Sequence, residues 1–305
     1  MNCNVLKTSL PAEIVHKTRY APTPSGYLHL GNLYSFILTA TIARNTGASV
    51  LLRIDDMDRE RFRSEYLQNI FETLRFFELP YQEGPKTEAD FLQCWSQQHR
   101  MDSYTKALDE LRQKELLYPC TCTRTDLQKA GLQSGCTGNC SSSYSLDDPG
   151  LNWRYRTPEQ SQFLQMFNGE RRAYSFPVSM QDFIVRKRDG TPAYQLCSVV
   201  DDTRFGVNLV VRGVDLLESS IAQVALSHSL DNNTYATAVH FHHPLLTDKA
   251  GYKLSKSEGA ESLHTLIKNS STPSQILTLL AQRCGINHPV SHWTEFTYSA
   301  LTSIV

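Results

Sequence analysis

Histidine, glycine and lysine stand in two short clusters that suit phosphate chemistry, one near the start of this 305-residue chain and one late in it. The first is Arg19-Tyr-Ala-Pro-Thr-Pro-Ser-Gly-Tyr-Leu-His29-Leu-Gly31-Asn32. Pro22, Pro24 and Gly26 break regular structure and make a tight, stiff loop that leads into a helix. At that helix start, backbone N–H groups and the helix dipole favour an anion. Gly31 leaves room for a phosphate to approach, and His29 adds a side-chain donor. The second cluster is Thr247-Asp-Lys-Ala-Gly-Tyr-Lys253-Leu-Ser255-Lys256-Ser257. Its ammonium groups are compact point charges that can follow phosphate oxygens as charge moves in a reaction. Neither cluster is specific alone: a histidine at a helix start is more often structural, and short basic loops are common.

Two further groups could do chemistry. Arg53-Ile-Asp55-Asp56-Met-Asp58 closes an apolar run, placing carboxylates where open α/β sheets bind ligands, although a solvated acidic turn would look the same. The cysteines fall as Cys120-x-Cys122, thirteen residues, then Cys136-x₃-Cys140. Two close pairs separated by a loop fit tetrahedral zinc, and a closed four-thiolate site leaves no position for a reacting water, so its role is structural. Unrelated free thiols are the alternative. Tyr144 is a spare candidate ligand. The segment from Ser134 to Asn152 is rich in Gly, Ser, Asp and Pro and has little else to fold around.

The elements that must position these groups alternate between strand and helix. Ile14 to Tyr20 serves as a first strand. Leu33, Phe36, Ile37 and Ala40 mark one face of the following helix, with Gly47 at its stop. Ala48 to Ile54 is apolar throughout, as in a strand of a parallel sheet buried on both faces. Ser64 can cap a helix carrying Leu67, Ile70, Phe71, Leu74 and Phe77, which Pro80 stops. A further helix runs from about Ser96 to Leu117, and Tyr118 to Thr121 is a strand entering the cysteines. After them come a strand at Asp182 to Val185, a basic turn at Arg186 to Gly190, and an apolar run from Tyr194 to Val200. Gly206 to Arg212 is another strand. A helix with Leu217, Ile221, Val224 and Ala225 follows, then a last strand at Phe241 to Leu246. His242 and His243 on that strand read as strand or loop residues rather than ligands.

Composition excludes several classes. At 40% apolar and 20% charged residues the chain reads as globular. A net charge of −1 argues against coating nucleic acid by bulk charge, though Arg171-Arg172 and Arg186-Lys187-Arg188 could form a local basic face. No apolar run approaches the roughly 18 residues of a membrane span. The first residues lack signal-peptide order, so a cytoplasmic location is expected. Eight cysteines, unevenly spaced, suit a metal in a reducing compartment better than a disulfide framework.

Taken as a pair, the His-Leu-Gly-Asn stretch and the Lys-Leu-Ser-Lys-Ser loop resemble the two signatures of class I aminoacyl-tRNA synthetases. The residues flanking His29, with Arg53-Ile-Asp-Asp-Met-Asp and Val211-Arg-Gly-Val-Asp, narrow the resemblance to the glutamyl branch. Within it the chain looks like the glutamyl-Q tRNA(Asp) synthetases. The sequence after Ser257 is too short for the large helical anticodon-binding region of full glutamyl-tRNA synthetases, and the compact cysteine insert matches the shorter family. Many of its members have tyrosine as third zinc ligand, where this chain has Cys136.

The resemblance implies an α/β fold: a Rossmann-like, doubly wound parallel sheet, a zinc-containing insertion and a short helical C-terminal region. It implies a first catalytic half over 1–118, the insertion over 119–181, a second half over 182–258 and the helical region over 259–305. Catalysis falls to His29, Gly31, Lys253 and Lys256, and ATP binding to these with Asn32 and Ser255. Arg19, Ala21, Thr23, Asp55, Tyr194 and Arg212 form the glutamate pocket, and Cys120, Cys122, Cys136 and Cys140 bind one structural Zn²⁺. ATP with Mg²⁺ would activate L-glutamate, and a monomer would pass the glutamyl group to queuosine in tRNA(Asp), with no membrane involved. The alternatives are a shortened enzyme charging a tRNA 3′ end and a non-catalytic paralogue that binds tRNA. Asp55 departs from the glutamate usual in the family, leaving its reach to the substrate α-amino group one methylene short.

Overall fold

The computed structural model describes residues 15–132, 135–136, 140, 143–231, 233–246, 263–269 and 271–302. In chain order the elements are β1 (Lys17–Tyr20), α1 (Leu30–Thr46), β2 (Ser49–Leu52), α2 (Ser64–Phe76), a single turn α3 (Glu88–Asp90), α4 (Met101–Gln113), β3 (Leu117–Cys120) and α5 (Arg124–Lys129). Then come β4 (Asn152–Tyr155), β5 (Gln162–Met166), β6 (Arg171–Tyr174), β7 (Ile184–Arg186), α6 (Tyr194–Arg204), β8 (Leu209–Gly213), α7 (Leu217–His228), β9 (Val239–His243), α8 (Leu263–Lys268), α9 (Pro273–Arg283) and α10 (Tyr298–Thr302). The described residues fall into two compact units. One comprises Pro11–His99, Leu209–Asp215 and Phe241–Val305; the other is built from Arg100–Asn208 and Leu216–His240.

The first unit holds the parallel pair β1 and β2, in register from Lys17↔Ser49 to Tyr20↔Leu52. A right-handed crossover is the usual solution for such a pair, and α1 supplies the connection. This helix is buried over most of its surface, from Leu33 to Ala43, so it lies inside the unit rather than on it. Gly47 ends it in the left-handed conformation at φ 75°, as the sequence predicts. Tyr34 reaches across to donate to Leu301 O at 2.6 Å, tying α1 to α10.

The second unit contains the antiparallel sheet β3-β4-β7 and a pairing of β5 with β6 (antiparallel) and with the start of β9 (parallel, Gln165↔Val239). Its core holds a buried ion pair. Arg100 donates to Asp201 from Nε at 2.7 Å and Nη2 at 2.9 Å, and Tyr104 O–H donates to the same carboxylate at 2.8 Å.

Several boundaries differ from the sequence reading for local reasons. Ser64 is the first residue of α2, not its cap; Arg63 occupies the cap in extended conformation with no side-chain capping hydrogen bond. Pro80 is not what stops α2: the helix ends at Phe76, because Glu78 adopts φ 52° and turns the chain first. The helix expected from Ser96 begins at Met101, after a π turn (Phe91–Trp95) and a 3₁₀ turn (Gln97–Arg100), and it ends where Glu115 takes φ 57°. The apolar run from Tyr194 is helix α6. The final strand ends at His243, ahead of Pro244.

Candidate functional site

The loop after β1 is fixed from both sides. The parallel ladder continues beyond the strands: Arg53 N–H donates to Tyr20 O and Asp55 N–H to Pro22 O, both at 2.9 Å. The proline loop therefore lies along Arg53-Ile54-Asp55. On its other flank Leu28 N–H donates to Asn69 Oδ1 of α2 at 3.0 Å, and Leu263 N–H of α8 donates to Leu28 O at 2.9 Å. Tyr27 stacks on His264 (centroids 4.2 Å, 12° between planes) and meets Tyr66 edge-on at 5.0 Å. Sequence reasoning missed Tyr66, Asn69 and His264. Nothing in their spacing could have found them, since only tertiary packing brings them to the loop.

His29 caps its own helix. Its Nδ1 accepts from Gly31 N–H at 3.1 Å, while its backbone N–H donates to Asn32 Oδ1 at 3.0 Å. This is a reciprocal capping box, with histidine in the usual serine or threonine role. With Nδ1 as acceptor, the neutral ring carries its proton on Nε2, which sets that nitrogen as the donor. The need for glycine at 31 is explained by the same geometry. A Cβ there would come within 2.9 Å of His29 Cε1 and 3.0 Å of Nδ1, pushing the ring off its cap. Gly31 thus preserves a histidine conformation, a reason the sequence reading did not contain.

The acidic stretch is not a solvated turn. Asp55 is 6% exposed and receives both arms of Arg53, from Nε at 2.8 Å and from Nη2 at 3.0 Å. Asp56, 1% exposed, accepts from Ser96 Oγ at 2.7 Å, Gln97 N–H at 2.8 Å and Arg59 at 2.7 Å, so it anchors the segment before α4. Arg53, Ser96 and Gln97 are supporting residues whose partners no local spacing records.

Positive charge collects on β1 and β8. Arg19 and Arg212 are 5% and 4% exposed, and Arg19 Nη1 donates to Val211 O at 3.2 Å. His242 is held neutral, its pKa pushed down to about 3 by burial, then by the charges of Arg212, His243 and Arg19. His243 is lowered by burial as well. It sits between Pro244 O (Nδ1, 2.9 Å) and Ser35 Oγ (Nε2, 3.1 Å), with its ring edge-on to Tyr34. The two histidines are packed strand residues, as the sequence suggests. Two buried guanidiniums beside a histidine that stays uncharged form a site electrostatically suited to carboxylate, which arginine can grip with two parallel bonds.

Of the remaining expected residues, Ala21 and Thr23 lie in the proline loop, with Thr23 exposed. Tyr194 heads α6 in the other unit and is 44% exposed. Lys253, Ser255 and Lys256 lie outside the described residues.

The four cysteines are brought together. One sulfur from each of Cys120, Cys122, Cys136 and Cys140 lies within 4.8 Å of the others, and Cys122 Sγ is 3.6 Å from both Cys136 and Cys140. Thiolates at about 2.3 Å from one tetrahedral ion would stand about 3.8 Å apart, so the cluster fits a metal ion. Burial pushes the Cys140 thiol up, but hydrogen bonds with Thr121, Cys122 and Cys136 together draw the group down to about 6. Cys122 is raised by burial and by its thiol neighbours. Tyr144, the spare candidate, is 45% exposed.

Comparison with known proteins agrees with this geometry. Residues 15–297 match the family described as tRNA synthetases class I (E and Q), catalytic domain. The glutamyl-Q tRNA(Asp) synthetase of Methylococcus capsulatus is 36% identical over 247 residues, covering 80% of this chain and 77% of that protein. Glutamate–tRNA ligase 2 of Nitrosococcus oceani is 31% identical over 87% of this chain, but the chain spans only 58% of that ligase. Among solved structures, glutamate–tRNA synthetase from Elizabethkingia anophelis superposes with a TM-score of 0.73 at 18% identity, covering 95% of this chain and 66% of that one, and so shares the fold. The chain therefore belongs to the class I tRNA synthetases of the glutamate and glutamine type, as a form of their catalytic domain.

Proposed function

We propose that this protein activates L-glutamate with ATP and transfers the glutamyl group to a tRNA, with queuosine of tRNA(Asp) as acceptor. The observation that carries the reading is the paired Arg19 and Arg212 beside an uncharged His242, in the unit that also holds the His29-capped helix. A dicarboxylate amino acid meets two guanidiniums there. Asp55, steadied by Arg53, takes the α-amino group, with Ala21 and Thr23 of the same unit beside it, and Tyr194 is assigned to glutamate from the family resemblance alone. The α-carboxylate oxygen attacks the α-phosphorus of ATP, the bond to the β-phosphate oxygen breaks, and pyrophosphate leaves with that electron pair. His29 Nε2–H and the N-terminus of α1 bear on the phosphates with Asn32. Lys256, helped by Lys253, neutralises the leaving pyrophosphate and Ser255 binds ATP, all three assigned from the motif alone, and Mg²⁺ enters with the nucleotide. The protein's contribution is positioning and electrostatics. In the second step a hydroxyl of the acceptor displaces AMP and forms the glutamyl ester. The four cysteines hold one Zn²⁺ in a structural role.

Queuosine as acceptor is supported by the higher identity and fuller span shared with relatives named for it. The test uses radiolabelled glutamate, ATP and tRNA(Asp) with and without queuosine. Label confined to the queuosine form and surviving periodate oxidation of the 3′ end is the expected result. Label on tRNA(Glu) that periodate abolishes would replace the acceptor with a tRNA 3′ end. Absence of glutamate-dependent pyrophosphate exchange would overturn the activity altogether.

A further inference from the structure

A buried arginine stands beside the cysteine cluster with one donor unused. In the antiparallel pairing of β3 and β4, Tyr118 lies opposite Arg154 and Cys120 opposite Asn152. Alternate residues of a strand share a face, so Tyr118, Cys120, Asn152 and Arg154 project from the same side of the sheet. Arg154 is diagonal to Cys120, within reach of a long side chain. It is only 3% exposed. One arm, Nη1, donates to Asp182 O at 2.7 Å, while its Nε–H has no hydrogen-bond partner among the described residues.

Charge bookkeeping gives this placement a purpose. Four thiolates around a divalent ion carry a net charge of −2, and Cys120 is fully buried. Buried net charge is costly unless it is paired and hydrogen-bonded. The third ligand position holds cysteine, which makes the set all-sulfur and its charge the largest such a site can have. Arg188, exposed, contributes only an anchor, donating to Thr121 O at 3.3 Å. Arg154 is the desolvated cation on the buried side.

We propose that Arg154 is the counter-charge of the four-cysteine metal site: its Nε–H takes the metal-bound Cys120 thiolate as acceptor and offsets the excess negative charge. It is a positioning residue, touching a ligand and not the ion. The inference rests on the reading of the cysteines as a zinc site, and the experiment separates the two.

The test uses the full chain as wild type, Arg154→Lys, Arg154→Gln and Arg154→Met. Zinc content is measured by mass spectrometry, zinc affinity by competition with a chelating dye, and the cobalt-substituted forms by their sulfur-to-cobalt charge-transfer absorption. Wild type should bind one zinc. Arg154→Met and Arg154→Gln should bind about 10- to 100-fold more weakly, the usual range for loss of a group supporting a metal ligand, with Arg154→Lys between them and wild type. Loss of the cation raises the energy of the thiolate lone pairs, so the charge-transfer band should move to longer wavelength in the Met and Gln proteins and less in Lys. If Arg154→Met does not fold, Gln against Lys decides the question. Equal affinity and unshifted bands across the folded variants would overturn this inference and leave the zinc site standing. A wild-type protein that binds no zinc would overturn both.

Discussion

At the scale of single residues, the carboxylate grip and its support make separable predictions. Arg212→Met removes one guanidinium of the Arg19–Arg212 pair. A hydrogen bond to a charged group contributes about 1.5–3 kcal/mol, so KM for glutamate in pyrophosphate exchange should rise roughly 10- to 150-fold, with KM for ATP little changed. An equal rise for ATP would mean general damage. Arg53→Met does something different: it leaves Asp55 buried without the two bonds that now hold it. Removing one partner of a buried pair costs about 3–5 kcal/mol, so this variant should lose thermal stability, which differential scanning calorimetry reads directly. Asp55→Glu should lower KM for glutamate if aspartate is short of reach; an unchanged or poorer KM would show that the backbone beside Pro22 already places Asp55 correctly.

At the scale of elements, helix α1 and strand β9 carry the site. His29 both caps α1 and is assigned to the phosphates, and two substitutions part these roles. Asparagine is itself a good cap, so His29→Asn should hold its melting temperature, whereas His29→Ala should lose about 1 kcal/mol. Both should slow adenylate formation by about 10²-fold or more, as loss of a preorganised donor does. If His29→Asn were fully active, the ring would be a cap and nothing else. Strand β9 sets a pH dependence. Folded His242 has a pKa near 3, below the roughly 6.5 of an unfolded histidine, so between these values the unfolded chain binds more protons. Stability is therefore present above pH 6.5 and falls as pH drops toward 3, by up to about 1.4 kcal/mol per pH unit. His242→Gln should flatten this acid limb in chemical denaturation measured from pH 7 to 4; an unchanged limb would place the titrating group elsewhere.

For the whole molecule, the cysteine cluster draws together four residues at the start and middle of the connection between β3 and β4. Among the described residues Trp153 Nε1 donates to Leu146 O at 3.1 Å, and Arg112 pairs with Asp147 at the surface. A metal that joins Cys120 and Cys122 to Cys136 and Cys140 closes the loop between them. Chelation by 1,10-phenanthroline should lower the melting temperature and open the Cys122–Asn152 region to limited proteolysis, reversibly on adding zinc, because a structural metal contributes its binding energy to folding. Cleavage and melting that ignore the chelator would show the segment to be held by its protein contacts alone.

The sequence by itself determined the pattern of chemistry: a stiff proline loop before a helix, four cysteines in two pairs, an apolar strand ending in carboxylates, and the signatures that carry the family resemblance. These are legible because they depend on residue type and short spacing. It also placed the left-handed stop at Gly47, where only backbone freedom matters. What tertiary structure decided were the partners. Arg53 clasps Asp55, Ser96 and Gln97 hold Asp56, and Asn69, Tyr66 and His264 grip the signature loop, all through contacts that no local period records. Gly31 shows the difference most plainly. Its absence of a side chain was visible in the sequence, but the reason is the ring of His29 folded back over it. Where α2 ends was likewise settled by Glu78 at φ 52°, a choice the proline two residues later only accompanies. Local propensity sets which elements can form; burial and pairing across the fold set where they stop and which side chains they bring together.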